Sequence, residues 1–153
     1  MPVKFLLIII FFVSFSANAE EECIFDESSY IDFINKYKSS NKDTKIENDN
    51  RTLRVEKNNE DIVVKGGGCS HLGVSIELKT KQTFTEKQFL HKILALSNEF
   101  GSWLINTNSL ENSIKNGKYQ IIDSVYFIEV DVMTVFSASY HNKGIISIDF
   151  YIN

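Results

Sequence analysis

The stretch Thr52–Gly66, TLRVEKNNEDIVVKG, reads as a β-hairpin whose register can be written down from the residues alone. Asn58-Asn59 makes a two-residue turn, because asparagine tolerates the positive φ that a type I′ turn demands at both central positions. Leu53 then falls opposite Val64, Val55 opposite Ile62, and Lys57 opposite Glu60. Apolar meets apolar and charge meets countercharge, so turn chemistry and pattern agree.

Working outward from this hairpin, a glycine run leads into HLGVSIELKT. There Leu72, Val74, Ile76 and Leu78 alternate with polar or small residues, as in a strand with one buried face. A second hairpin closes the sequence. A three-residue loop Asn142-Lys143-Gly144, with glycine in the left-handed bulge position, sets Tyr140 against Ile146, Ala138 against Ile148 and Phe136 against Phe150. A two-residue turn would instead oppose Phe136 to Asp149, so the longer loop is expected. From Tyr119 onward the even positions Ile122, Tyr126, Ile128, Val130 and Val132 are the more apolar, which predicts a strand.

Three segments have helical spacing. In ESSYIDFINKYKSS, Tyr30, Ile31, Phe33, Ile34 and Tyr37 recur at three and four, after Ser28 or Ser29 as N-cap. The clearest helix opens on Thr85. Gln88 takes the capping-box position, Phe84 and Phe89 form a hydrophobic staple, and Gly101 is placed to close the helix. NSLENSIKNG, residues 108–117, predicts a shorter helix capped by Asn108 or Ser109. Residues 38–50 read as a polar loop with a short strand near Ile46.

Together these elements predict an α+β domain, an antiparallel sheet of five to six strands packed against one long and one or two shorter helices. No repeat, linker or second domain is visible.

MPVKFLLIIIFFVSFSANA, residues 1–19, has the form of a secretory signal, with Lys4, an apolar run from Phe5 to Phe15 and Ala17-Asn18-Ala19 as cleavage site. That run falls short of the roughly 20 apolar residues a spanning helix needs. Export to the periplasm or beyond is therefore the expectation. Residues 20–153 form a single mature domain with no membrane span. The full chain carries 16 Lys+Arg against 20 Asp+Glu. An acidic balance argues against nucleic acid and permits a basic protein partner.

Both cysteines, Cys23 and Cys69, lie beyond the signal, where an oxidising compartment favours their pairing. The closed loop would stabilise the fold by about 4 kcal/mol on chain-entropy grounds.

The stretch KGGGCSHLG, Lys65–Gly73, is the main candidate for chemistry. It matches neither a P-loop nor a dinucleotide fingerprint, so no cofactor is expected. Cys69 and His71 supply two metal ligands, short of the three or four of a zinc site, with His91 and His141 the remaining histidines. On a strand, Cys69 and His71 share a face, which is the geometry of a nucleophile–base pair, with glycine amides as oxyanion donors. A disulfide to Cys23 would remove that nucleophile. The glycines also suit a bulge or tight loop that needs residues without Cβ.

Asp123, Glu129, Asp131 and Asp149 occupy odd positions in the late strands, with Tyr119 and Tyr151, and would form a carboxylate stripe for a basic partner. The sequon Asn50-Arg51-Thr52 matters only in a eukaryotic secretory route. The expectation is an exported protein that acts by binding another protein, as an inhibitor or immunity-type protein does. His71, Asp123, Glu129, Asp131, Asp149 and Tyr151 are its candidate contacts. A Cys69/His71 enzyme and an envelope accessory or small-ligand carrier are the alternatives.

Overall fold

The computed structural model describes residues 27–47, 50–68, 71–141 and 144–153. The signal segment, Cys23 and Cys69 lie outside the described residues, as do Asn142 and Lys143. Among the described residues the chain forms α1 (Ser28–Ser40), β1 (Thr44–Ile46), β2 (Thr52–Lys57), β3 (Glu60–Gly67) and β4 (Leu72–Lys79). These are followed by α2 (Glu86–Gly101), α3 (Thr107–Lys115), β5 (Tyr119–Ile122), β6 (Val125–Ile128), β7 (Thr134–His141) and β8 (Ile145–Ile152).

The strands make one antiparallel sheet of eight in the order β1-β2-β3-β4-β8-β7-β6-β5. The expected five to six strands are corrected by this finding. The principal cause is at Asp123-Ser124, where φ is 50° and 66°. With φ positive at both residues, this is a tight reversal without glycine, and it folds the stretch after Tyr119 into the hairpin β5–β6. Ile122 pairs with Val125, so the apolar parity inverts across the turn and Ile122 and Tyr126 end on opposite faces. Thr44–Ile46 adds a strand beside β2.

The two hairpins whose registers were written out pair as expected. Leu53 faces Val64, Val55 faces Ile62 and Lys57 faces Glu60 across a turn in which Asn58 and Asn59 have φ of 54° and 60°. Tyr140 faces Ile146 and Phe136 faces Phe150, with Gly144 at φ 73°. Lys57 and Glu60, though, do not pair with one another, while Arg54 and Asp61 do pair across the hairpin at 3.1 Å. Lys57 Nζ lies 2.6 Å from Glu99 and Lys92 Nζ 2.7 Å from Glu60, so both partners come from α2 and clamp the hairpin to that helix.

The topology repeats although the sequence does not. A helix followed by a four-strand meander occurs twice, and the last strand of each half, β4 and β8, pair over eight residues from Leu72↔Ile152 to Lys79↔Ile145. All three helices cover one face. Their apolar residues join Leu53, Val64, Val74, Ile76, Ile146 and Ile148 in a single core.

Helix ends follow their caps. α2 carries the full capping box between Thr85 and Gln88. α3 starts earlier than expected because Asn106 takes the amides of Asn108 and Ser109. α1 is preceded by Glu27, which makes no side-chain cap. Gly101 is the last residue inside α2 instead of a left-handed cap. A Cβ there would collide with the ring of Phe150, which stacks on Phe136 at 5.6 Å.

Gly101→Ala should therefore destabilise the protein by about 1–3 kcal/mol, because overpacking at a stacked core ring outweighs the better helix propensity of alanine. A lower urea midpoint, partly restored by adding Phe150→Leu, is the expected result. An unchanged or raised midpoint in the single variant would refute the packing account.

Candidate functional site

The glycines of KGGG are explained by α1. Gly66 lies under the ring of Tyr30, where any Cβ would clash. Tyr30 is fully buried, and its hydroxyl donates to the carbonyls of Arg51 (2.9 Å) and Val64 (3.2 Å). Gly67 and Gly68 have φ of 117° and 141°, a region that side chains rarely tolerate. The Gly68 amide donates to Glu27 Oε1 at 3.1 Å, and Glu27 in turn pairs with Arg51 at 2.7 Å. The run is thus the seat on which the start of α1 docks. Glu27 and Tyr30 were not legible as its partners, since both lie far upstream of the glycines.

The structure separates the sequence candidates into two groups. His71, Asp149 and Tyr151 come together on the face of the sheet away from the helices. His71 packs its ring against Tyr151 at 5.4 Å, and Asp149 lies in the cross-strand row Ser75↔Asp149↔Ser137.

Asp123, Glu129 and Asp131 gather instead at the β5–β6 end, in the turn and in the link to β7. Of the four expected stripe carboxylates, only Asp149 sits in a strand. Asp131 closes the link by accepting from the amides of Met133 (2.9 Å) and Thr134 (2.7 Å). Partial burial pulls its pKa upward, but the hydrogen bonds from Met133 and Thr134 prevail and hold it below the ordinary carboxylate value.

The feature that sequence reading missed is the character of this end. Among the described residues, the exposed large apolar side chains are Ile121, Ile122, Phe127, Val132, Met133 and Tyr151. Five of these six lie on β5, β6 or the link to β7. By register, Ile122 and Phe127 project from the open face and Ile121 from the helix face. On the helix face the hairpin is anchored to α2. Tyr126 packs on Phe89 at 5.1 Å, and the Tyr119 hydroxyl donates to Glu86 at 3.2 Å. Burial first, and then the Glu86 carboxylate, raise the pKa of Tyr119, so its phenol remains a donor at neutral pH.

β5 is also the outermost strand, so the backbone groups on its outer side have no strand partner among the described residues. The opposite edge, β1, is three residues long, carries Lys45 and packs against α1. Short, charged and covered edges resist strand addition; β5, though only four residues long, leaves the apolar side chains of Ile121 and Ile122 exposed.

No protein family, no curated protein and no solved structure matches this chain. Among the described residues, no helix is long and apolar enough to cross a membrane.

Two outcomes test the site's framework. Gly66→Ala should displace Tyr30 and lower stability by about 1–3 kcal/mol. It should also change the fluorescence of Trp103, whose ring lies 5.5 Å from that of Tyr30. An unaltered Trp103 spectrum would contradict this seating of α1.

For Asp131 the sign follows from its lowered pKa. The carboxylate stabilises the fold above its unfolded-state pKa, and that contribution fades as pH falls through the folded value. Asp131→Ala should cost about 1 kcal/mol at neutral pH. The gap between the urea midpoints of the two proteins should close in acid, and a pH-independent gap would rule out the ionised cap.

Proposed function

We propose that this chain is an exported protein that acts by binding another protein, which adds an extended segment to the β5 edge. An inhibitor or immunity-type role against an extracytoplasmic hydrolase or toxin is the form that suits such a domain. The observation that carries the reading is the exposure of Ile121, Ile122 and Phe127 on and beside an outer strand whose outer backbone groups have no strand partner among the described residues. Single exposed apolar residues are ordinary on protein surfaces, whereas exposed apolar residues on both faces of a strand with unpaired outer backbone mark a recognition edge.

The rim selects the partner's charge. Asp123 flanks one end of β5, and Lys118, Glu129 and Asp131 lie near the other, all exposed, so that carboxylates outnumber the cation. An incoming strand with alternating apolar residues and Lys or Arg at its ends would satisfy both the edge and the rim, and the field would speed its arrival. β5 spans only Tyr119–Ile122, so backbone pairing alone gives a small contact, and the partner must also cover Phe127 on the adjoining strand to reach the area of a stable complex.

Purified, folded protein used as bait against extracytoplasmic fractions should retain a stoichiometric partner that dissociates at high salt. Ile122→Lys should weaken retention by about tenfold or more, roughly 1.4 kcal/mol, while Lys115→Ala should leave it intact. Retention indifferent to Ile122→Lys, or no partner at all, would overturn the proposal. A concentration-dependent dimer in light scattering, abolished by Ile122→Lys, would assign the edge to a second copy instead.

A further inference from the structure

The face of the sheet turned away from the helices carries two shallow depressions of about 300 Å3 and 550 Å3. Both lie along two neighbouring cross-strand rows. The first runs Lys65↔Ser75↔Asp149↔Ser137↔Phe127↔Gln120. The second runs Gly67↔Gly73↔Tyr151↔Val135.

Each row supplies what the other lacks. The first is a line of hydrogen-bonding side chains, one per strand and so about 4.8 Å apart, interrupted by the aromatic ring of Phe127 before it ends on Gln120. Lys65, Ser75 and Asp149 are exposed, and neither Lys65 nor Asp149 forms an ion pair among the described residues. The second row begins with bare backbone, since Gly67 and Gly73 are register partners, and then rises to Tyr151. His71 supports the Tyr151 ring, which keeps 37% of its surface exposed, and Phe127 keeps 42%. These two rings stand two strands and one row apart, roughly 12 Å.

The balance of groups restricts the ligand. An apolar segment laid here would bury Lys65 and Asp149 without partners, at a cost no hydrophobic contact on so shallow a surface offsets. An anion would meet Asp149, and a cation would meet Lys65. A sugar ring has an apolar C–H face that packs on an aromatic ring, and hydroxyls that both donate and accept. Successive sugars would occupy the two depressions, with their hydroxyls toward the polar row.

We infer that this open face binds a linear, uncharged oligosaccharide laid across the strands. Tyr151 and Phe127 are the stacking platforms, and Lys65, Ser75, Asp149 and Ser137 are the hydrogen-bonding partners. The site is shallow and pre-formed, so affinity is modest and selectivity comes from ring stacking plus the spacing of the polar row. It shares Phe127 and the β5 residues Tyr119 and Gln120 with that edge and does not depend on the reading given for it.

The test is an amide chemical-shift titration of the full protein with three probes, chitotetraose, cellotetraose and maltotetraose, at millimolar concentrations. At least one should produce saturable shifts at Gly67, Gly73, Ser75, Asp149 and Tyr151. Tyr151→Ala should weaken that binding about tenfold or more while Tyr151→Phe, which keeps the ring, binds as wild type. Asp149→Ala, a change at an exposed side chain, should also weaken it and serves if Tyr151→Ala does not fold. No saturable shift with any probe, shifts confined to other surfaces, or wild-type affinity in both alanine variants would overturn the assignment.

Discussion

Everything else in this fold depends on the pairing of β4 with β8. It is the only seam that joins the two helix-and-meander halves within the sheet, and it runs unbroken from Leu72↔Ile152 to Lys79↔Ile145. Its helix-side residues, Val74, Ile76 and Leu78 against Phe150, Ile148 and Ile146, are all buried and form the floor on which α2 rests. A slip of one residue would turn the three core side chains of one strand to the open face and bring Ser75 and Glu77, or Ser147 and Asp149, into the core, so the register is held by burial itself.

The two candidate surfaces are by-products of that arrangement. Because all three helices lie on one side, the other side of the sheet is left bare, and its polar rows are in register across strands from both halves. Because each half ends its meander at the seam, each begins it at an outer edge. The first edge is short, carries Lys45 and is backed by α1, while the second ends in exposed Ile121 and Ile122, with Asp123 beyond that end and Lys118 and Glu129 at the other. The asymmetry between two topologically equivalent edges is what marks β5 for recognition and β1 for structure.

Local chemistry was legible in the sequence where a few adjacent residues decide the outcome. Asn58-Asn59 set the first turn, Gly144 the last, and Thr85 with Gln88 the start of α2. Legibility failed where the deciding partner is distant or the signal is unusual. Asp123-Ser124 adopts positive φ without glycine, so a hairpin passed for one strand and the faces of Ile122 and Tyr126 were confounded. Lys57 and Glu60 oppose one another as read, yet α2 offers each a better partner in Glu99 and Lys92. The KGGG run showed that some residue needed room, and only the fold shows that Tyr30 and Glu27 take it. Of the candidate contacts, His71, Asp149 and Tyr151 do share a surface, while Asp123, Glu129 and Asp131 belong to another, because the β5–β6 reversal moved them off the strand face.

The seam also governs the order in which the chain can be completed. When β4 has formed, β8 still lies beyond two helices and three further strands, so the first half waits with Val74, Ile76 and Leu78 along an unpaired border. Contacts this distant in sequence are slow to close. In that interval the border of β4 is the natural handle for a chaperone, and the natural place for β8 of a neighbouring molecule to enter. Two chains that exchanged their second halves would each recover an identical seam, so the same feature that completes the monomer provides a route to an intertwined dimer.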